Sequence, residues 1–239
     1  MVDDASGARV FDPIRAAKRL MRLARLGALA TLERLNPAPL VTLVGVASDD
    51  DGAPLLFLST LAEHTKNLGK DPRASILLAS SPRRGDPLNA PRLTLSGEIV
   101  RAETPRRRQR YLQRNPKAKL YAGLADFAIH RLDPSRVHFN GGFGKAAPLT
   151  PAELLVEGDF GTLVAAETQL LAEAEALGPE ALARLAGARG RLIWRAVGLD
   201  AEGLDLNCGV AAARADWREP ALTPEAWRES LAKALSLKP

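Results

Sequence analysis

The chain is poor in cysteine, histidine and aromatic residues. Its 239 residues include one cysteine, Cys208, and three histidines, and aromatic side chains make up 5% of the total. A single cysteine excludes an intrachain disulfide framework and a cysteine-rich zinc or iron–sulfur site. Because such cysteine usage is typical of a reducing compartment, we expect a cytoplasmic protein.

Long apolar runs are also missing from the sequence. No segment approaches the roughly 18 apolar residues of a membrane span, and the acidic N-terminal stretch MVDDASGARVFDP has no apolar signal core. We therefore expect a chain with no membrane segment. With 46% hydrophobic and 26% charged residues, the composition predicts a globular protein with a sizeable core.

The charge balance is basic, with a formal net charge of +5 and a pI near 9.6. Lysine and arginine are spread along the chain and interleaved with acidic residues. This dispersion argues against a dedicated nucleic-acid surface, while small anions remain suitable partners.

Three helices are predicted in the first 120 residues. Asp12-Pro13 followed by apolar residues at helical spacing predicts a helix over 12–26, with Asp12 as its N-cap and Gly27 after its end. Thr60, with Glu63 three residues on, has the spacing of a capping box and predicts a short helix over 61–70. Thr104-Pro105 opens a basic helix over 105–114.

Six β-rich runs accompany these helices. The acidic segment 49–52 between the second and third runs is typical of a hairpin turn. Gly97 in the fifth run indicates a bulge or a close backbone approach, and Asp133-Pro134 is a point of interruption in the sixth. The predicted strands lie at 28–33, 39–48, 54–59, 73–80, 91–103 and 127–144.

The character of the sequence changes beyond Thr150. Residues 162–187 have a helical period broken at Gly178-Pro179, the stretch 191–217 predicts two or three short strands, and Thr223-Pro224 opens a final helix to about residue 235. We therefore predict a first domain over 10–150 and a small α+β domain over 151–239.

Three segments, taken in order, resemble a known family. They are LLFLSTLAEHTKNLGKDPRASILL, GDPLNAPRLTLSGEIVRAE and RYLQRNPKAKLYAGLADFAIHRLDPSRVHFNGGFGKA. Together they are similar to the HugZ-type haem-utilisation proteins, a branch of the pyridoxamine 5′-phosphate oxidase-like FMN-binding split barrels. The resemblance covers about residues 15–150, and the C-terminal region is similar to the small α+β domain that often follows this barrel.

The resemblance implies a mainly β fold with helices, built on a six-stranded split β-barrel that forms a homodimer. It also implies two equivalent pockets at the dimer interface, each holding FMN or a related small planar anionic cofactor, and an oxidoreductase activity. The strand end and turn at 54–67 would hold the phosphate, because backbone N–H groups at a helix start, a hydroxyl and a lysine all favour an anion. The candidate cofactor-binding residues are Ser59, Thr60, His64, Thr65, Lys66, Arg92, Thr94 and Lys145.

Two of these candidates gain support from strand periodicity, since Arg92 and Thr94 share one face of a strand. Two features differ from the relatives. Glu63-His64-Thr65 stands where the flavin oxidases carry a Ser-Arg-Lys phosphate clamp, and the C-terminal domain has no histidine, so a His-Met-Asn-x-Asp-His motif is absent. No general acid or base is assigned.

The histidines leave several roles open. His64 could contact a cofactor phosphate, ligate haem iron or occupy a structural position on a short helix. His130 and His138 would share a face on an unbroken strand, but the interruption at 133–134 makes strand side chains without a metal the favoured interpretation. We keep His64 and His138 as haem-ligand candidates, and we predict no other metal site.

Three further features have simple interpretations. The loop NGGFGKA at 140–146 is either a tight turn leaving the barrel or a loop over a planar ligand, with Phe143 for stacking and Lys145 for an anion. The arginines of 105–114 encircle their helix, which favours a solvated helix. Cys208 is interpreted as a small buried hydrophobe.

Three functions follow as hypotheses. The leading one is an FMN-binding oxidoreductase, in which the flavin ring performs the chemistry and the protein anchors and shields it. The second is haem binding or haem utilisation. The third is a non-catalytic module that binds a partner protein.

Overall fold

The computed structural model describes residues 11–36, 38–80, 86–188, 192–209 and 211–236. Residue 10 of the predicted first domain, residues 81–85 of the loop before the fifth strand, and residues 191 and 210 of the predicted C-terminal strands lie outside these ranges.

Helices and strands alternate along the described residues. The α-helices are α1 (Pro13–Leu23), α2 (Glu63–Leu68), α3 (Pro105–Arg114), α4 (Pro151–Leu154), α5 (Gly161–Ala176), α6 (Pro179–Leu185) and α7 (Pro224–Ser236). The strands are β1 (Leu26–Leu32), β2 (Pro39–Ser48), β3 (Pro54–Ser59), β4 (Arg73–Ala79), β5 (Arg92–Arg101), β6 (Phe127–Asn140), β7 (Ala146–Ala147), β8 (Arg195–Asp200), β9 (Gly203–Asn207) and β10 (Ala212–Asp216).

The first six strands form a closed antiparallel barrel, as predicted for a split-barrel fold. The strand order is β3-β2-β1-β4-β5-β6-β7, and a further pairing of β3 with β6 closes the barrel. The predicted bounds of β2 and β3 are confirmed, and so is the hairpin turn between them, where the Gly52 N–H donates to the Asp49 carbonyl over 3.0 Å. Gly52 has φ near 100°, a conformation that favours glycine.

The barrel encloses one apolar core. Alternate residues of each strand point inward, and these include Leu29, Val46, Leu56, Ile76 and Leu93, each fully buried. Helix α1 packs on this core through Ala17, Leu20 and Met21. Because side chains alternate across a strand, the residues between the buried ones lie on the outer face of the barrel.

Gly97 sits at a bulge, which confirms the prediction for that residue. The pairing of β5 with β6 shifts register between Ser96 and Gly97, and a Cβ on Gly97 would overlap the carbonyl oxygen of Asp133. The backbones of β5 and β6 therefore approach each other more closely than any residue with a side chain allows.

We expect Gly97→Ala to lower the free energy of unfolding by about 2–3 kcal/mol, because the added methyl group forces two paired backbones apart. Gly123→Ala is the matched control, since a Cβ there meets no atom within 4 Å. Urea denaturation of both variants provides the measurement. Equal stability of the two variants would contradict the close approach at Gly97.

A second core lies beyond the barrel. Strands β10-β9-β8 form a three-stranded antiparallel sheet, covered by α5, α6 and α7. The core includes Trp194, Trp217 and Trp227, which are all the tryptophans of the chain. The predicted break between two helices at Gly178-Pro179 is present, and three strands form where two or three were predicted. A domain division at residue 150 stays a prediction.

Two predicted helix ends are wrong. Gly27 does not follow a helix but lies inside β1, where a Cβ would crowd the Ile76 side chain at 2.7 Å. Helix α2 has Ala62 as its N-cap with no side-chain cap, so Thr60 does not cap it. In contrast, Asp12 caps α1 as predicted, and α3 begins after Thr104 as predicted, with Thr104 as its N-cap. Each of the two side chains accepts a backbone N–H three residues on.

Buried ion pairs join the barrel to the second core. Arg110 and Arg114 on α3 are almost completely buried; Arg110 lies 3.2 Å from Asp200, and Arg114 pairs with Asp205. Asp205 also binds Arg214 at 2.9 Å. The prediction of a solvated arginine-rich helix is therefore wrong, because two of the arginines of α3 are buried between the barrel and the second core, which are the two units of the chain.

Within the described residues, no helix is both long and apolar enough to cross a membrane.

Candidate functional site

The corner after β3 carries the first group of candidate residues. The Ser59 hydroxyl donates to Asp126 over 2.5 Å and accepts the Leu61 N–H at 3.1 Å. Thr60 is exposed, and its backbone N–H donates to the Asp126 carbonyl. The Ser59 hydroxyl therefore stabilises the turn, because it donates one hydrogen bond and accepts another within the chain.

Helix α2 continues this corner with its polar groups turned to internal partners. Lys66 pairs with Glu63 at 2.7 Å. The buried Asn67 amide donates to the Thr31 hydroxyl at 3.1 Å, which fixes α2 to β1. The Thr65 hydroxyl is buried without a hydrogen-bond partner among the described residues. Unlike Ser59 and Lys66, Thr65 thus has a polar group that is not bonded to another described side chain.

His64 faces the end of the barrel. Its Nδ1 lies 3.1 Å from the Thr42 hydroxyl, and Thr42 belongs to the inward-facing set of β2. Burial, with a smaller effect from the charge of His130, lowers the pKa of His64. His130 is buried and its Nδ1 contacts the Ala128 carbonyl at 3.1 Å. Both rings are therefore neutral near pH 7 and already have one nitrogen engaged.

The second group of candidates lies on the outer face of the barrel. Thr94 pairs with Leu77 of β4 and with His138 of β6, so these three residues form one row across adjacent strands. The row continues to Ala28 of β1 and Leu43 of β2. His138 is exposed, and its neighbours in the row make an apolar surface beside it.

Charged side chains border this row. Arg92 lies two residues before Thr94 on the same face, and its guanidinium donates to the Leu88 carbonyl at 2.7 Å. Arg136 lies two residues before His138, opposite Ser96, and is exposed. The outer face thus combines an imidazole and two guanidinium groups with aliphatic residues.

A shallow groove of about 460 Å³ runs along the same outer face. Ser75 and Ser96 meet in its floor, with their hydroxyl oxygens 2.7 Å apart, and Arg73 and Glu98 contribute charge at its edge. Ser96 is two residues from Thr94, so the groove and the His138 row belong to one continuous surface.

The glycine-rich segment at 140–146 is a tight turn, the first of its two predicted roles. The Lys145 N–H donates to the Gly142 carbonyl at 3.1 Å, and the Gly141 N–H donates to the Lys145 carbonyl at 3.0 Å. The Lys145 ammonium lies 5.0 Å from the centre of the Phe11 ring, a cation–π contact. Phe143 is 95% exposed, so its ring is free to stack on a ligand.

The candidates therefore fall into two separate groups, apart from Lys145 in the turn at 140–146. The first group gathers at the corner of β3 and α2 and consists of Ser59, Thr60, His64, Thr65 and Lys66, while Arg92, Thr94 and His138 share the outer face. The groove on the outer face is not lined by any residue of the corner group. In the described residues, no cluster of three or more histidine, cysteine, aspartate or glutamate side chains has the arrangement of a metal site.

The closed barrel and its covering helix agree with a family of known sequences. A model of the CREG β-barrel family matches residues 12–155, which is the barrel together with α1 and α4. The chain belongs to the CREG β-barrel family.

This chain is similar to known proteins in sequence and in structure. The chloroplastic non-canonical heme oxygenase HOZ of Arabidopsis thaliana is 31% identical over 140 residues, which are 57% of this chain and 42% of that protein. A protein of unknown function from Agrobacterium tumefaciens superimposes with a TM-score of 0.82 at 33% identity and covers 99% of this chain and 100% of its own. A heme binding protein from Mycobacterium smegmatis gives 0.57 at 26% identity, with 95% and 97% covered.

Sequence reasoning missed the apolar part of the outer face of the CREG-type barrel. Leu43 is 72% exposed and Val41 61% exposed, although both lie in a strand whose inward residues are also apolar. A signal was present, because the run PLVTLVGVAS is apolar in both strand phases instead of alternating. Such a run indicates that both faces of β2 have an apolar environment.

Proposed function

We propose that this chain is a haem-binding protein of the haem-utilisation type, with haem bound on the outer face of the barrel. The observation that carries the proposal is the position of His138. It is the exposed histidine of the three, and it stands in one row with Thr94 and Leu77. Imidazole is a common axial ligand of haem iron.

The residues around His138 suit the chemistry of haem. Leu77 lies two strands away, about 10 Å from His138 across the sheet, and offers an apolar contact to a porphyrin ring. Arg92 and Arg136 can pair with the propionate carboxylates through charge-assisted hydrogen bonds. When bound, haem would supply the redox chemistry of its iron, and the chain would bind, orient and shield it.

The names of two relatives support this proposal over the flavin hypothesis. One relative is named a heme oxygenase and another a heme binding protein. The chain spans 42% of the length of the curated oxygenase, so an oxygenase activity is not carried over. Assignment to the HugZ-type branch, with a split barrel over 10–150 and an α+β domain over 151–239, is part of the same proposal.

The flavin hypothesis has weaker support from the corner that it needs. Ser59 is bound to Asp126 and Lys66 to Glu63, and the His64 ring is bound to Thr42. An FMN phosphate would have to displace these contacts. The Thr65 hydroxyl is buried without a partner among the described residues, but a neutral hydroxyl does not compensate the charge of a phosphate.

A titration of the purified protein with haemin tests the proposal directly. We expect a saturable Soret band whose maximum differs from that of free haemin, because ligation by imidazole changes the iron spectrum. A titration with FMN is the comparison. Protein that develops flavin absorption and a higher melting temperature with FMN, but no shifted Soret band with haemin, would favour the oxidoreductase hypothesis. Absence of both effects would favour a partner-binding module.

We also propose that the outer face is a homodimer interface and that haem lies at it. The face exposes Leu26, Val41, Leu43 and Leu77, which are 58%, 61%, 72% and 40% exposed. A contiguous apolar surface of this kind is typical of an interaction site, and two copies of one surface can pair about a two-fold axis. A dimer would also bring residues of the partner over the row that contains His138.

Leu43→Glu is expected to convert the dimer to a monomer, because it places a charge in the apolar contact. Leu120→Glu is the matched control, since Leu120 is 90% exposed on a turn outside this face. Light scattering coupled to size exclusion gives the mass of each. A wild-type monomer, or a dimer that survives Leu43→Glu, would overturn the interface.

A further inference from the structure

A cleft of about 470 Å³ lies between α1 and the segment after β10, away from the proposed haem surface. Its lining is rich in cations from both sides of the boundary between the two units. These are Arg15, Lys18, Arg19, Arg22 and Arg218. None of the predicted cofactor residues contributes to it.

Two buried side chains in this cleft have donor atoms with no hydrogen-bond acceptor among the described residues. Arg22 lines the cleft with a side chain that is 1% exposed. Its Nη2 pairs with Glu202 and its Nε lies 3.8 Å from Asp200, but Nε and Nη1 have no hydrogen-bond partner among the described residues. Trp217 also lines the cleft, and its indole Nε1 is buried and unpaired. Leaving such donors unpaired is costly, so these groups are suited to an acceptor that enters from outside.

Two of the four acids that line the cleft are each paired with two cations. Glu202 binds Lys18 at 2.5 Å and also pairs with Arg22. Asp216 pairs with Arg19 and binds Arg214 at 3.0 Å. Asp12 accepts the backbone N–H of α1, and Glu219 stands at the exposed rim.

We propose that this cleft binds an oxyanion, the phosphate or carboxylate group of a small molecule. Arg22 and Trp217 donate hydrogen bonds to it, and Lys18 contributes charge from the rim. Guanidinium groups suit both oxyanions because their planar N–H donors match two oxygens at once. The site is independent of haem, since it lies on a different face and uses none of the same residues.

The test uses the full-length protein without haem. Inorganic phosphate and citrate are titrated separately at constant ionic strength, with sodium chloride as the reference, and tryptophan fluorescence and melting temperature are recorded. All three tryptophans lie in the second core and Trp217 lines the cleft. We expect a saturable fluorescence change and a rise in melting temperature with phosphate, citrate or both. The stronger of the two identifies the preferred oxyanion.

A matched pair of variants locates the site. Lys18→Gln is expected to weaken the apparent affinity by about tenfold through loss of one charged contact. Lys233→Gln removes the same charge from an exposed position on α7 and should leave the affinity unchanged. Arg15→Gln, at the exposed rim, is a second site variant that leaves the buried pairs intact.

Two outcomes would overturn the proposal. One is an identical response of the wild-type protein to phosphate, citrate and chloride. The other is equal weakening by Lys18→Gln and Lys233→Gln, which would mean that the anions respond only to net charge. Neither outcome depends on haem binding, so failure here is distinct from failure of the haem proposal.

Discussion

Asp205→Ala is expected to lower the free energy of unfolding by about 3–5 kcal/mol, because it leaves the buried Arg114 guanidinium without its carboxylate and removes one of the carboxylates that pair with Arg214. Asp205 pairs with Arg114 from α3 and with Arg214 from β10, and all three side chains are at most 1% exposed. Burial alone would raise the pKa of Asp205, but the charges of Arg114 and Arg214 outweigh it and hold that pKa below its usual range. The carboxylate is therefore ionised in the fold.

The loss should appear as unfolding of the boundary between the barrel and the second core. Urea denaturation followed by tryptophan fluorescence is a suitable measurement, since every tryptophan is in the second core. Asp133→Ala is the matched control. Asp133 also pairs with an arginine, Arg131, at 2.6 Å, but it is 55% exposed, and the expected loss is below about 1 kcal/mol. Equal losses in the two variants would contradict a special role for the buried pairs.

Most of the barrel could be predicted because its signals are local. Strands β2 and β3 have flanking turn residues and continuous apolar runs, and their bounds were predicted to the residue. Asp12 and Thr104 signal helix starts because a cap acts over three residues. Where the prediction was wrong, a longer-range contact decided the outcome: Gly27 fits β1 because Ile76 on β4 leaves no room for a side chain.

The boundary between the two units could not be predicted in the same way. Arg110 and Arg114 look like members of a solvated helix, because their partners Asp200 and Asp205 lie about ninety residues further along the chain. No pattern within α3 reports such a partner. A weak signal did exist in the second unit, where acids occupy positions inside short apolar strands and therefore require a buried cation.

The sequence predicted which residues of the candidate site are polar and suited to an anion, but it did not predict which partners they bond. The corner residues Ser59 and Lys66 have the chemistry of an anion site, yet Asp126 and Glu63 already satisfy them. Sequence spacing shows which groups are near each other but not which of them are already bonded. The environment of His138 could not be predicted either, because it depends on the pairing of three strands. The register of β4, β5 and β6 places exposed apolar and basic side chains around it.

His138→Ala is expected to weaken haemin binding by about tenfold or more, equivalent to at least about 1.4 kcal/mol, and to remove the shifted Soret maximum. The reason is that His138 is the exposed imidazole beside the apolar row, where an iron ligand and a porphyrin contact coincide. Haemin titrations monitored by absorption give both the affinity and the ligation state.

His64→Ala is the matched control, because it also removes one imidazole but from the end of the barrel. The His64 ring is half-buried and bonded to Thr42, so its loss should leave the Soret maximum and the haemin affinity unchanged. If His64→Ala abolishes the shifted band while His138→Ala retains it, haem is bound at the corner of β3 and α2 and not on the outer face. Identical spectra for the wild type and both variants would exclude histidine ligation, since His130 is buried with its Nδ1 bonded to Ala128. The two variants therefore distinguish haem bound on the outer face from haem bound at the corner of β3 and α2. The position of the Soret maximum reports iron ligation, which a general loss of stability does not reproduce.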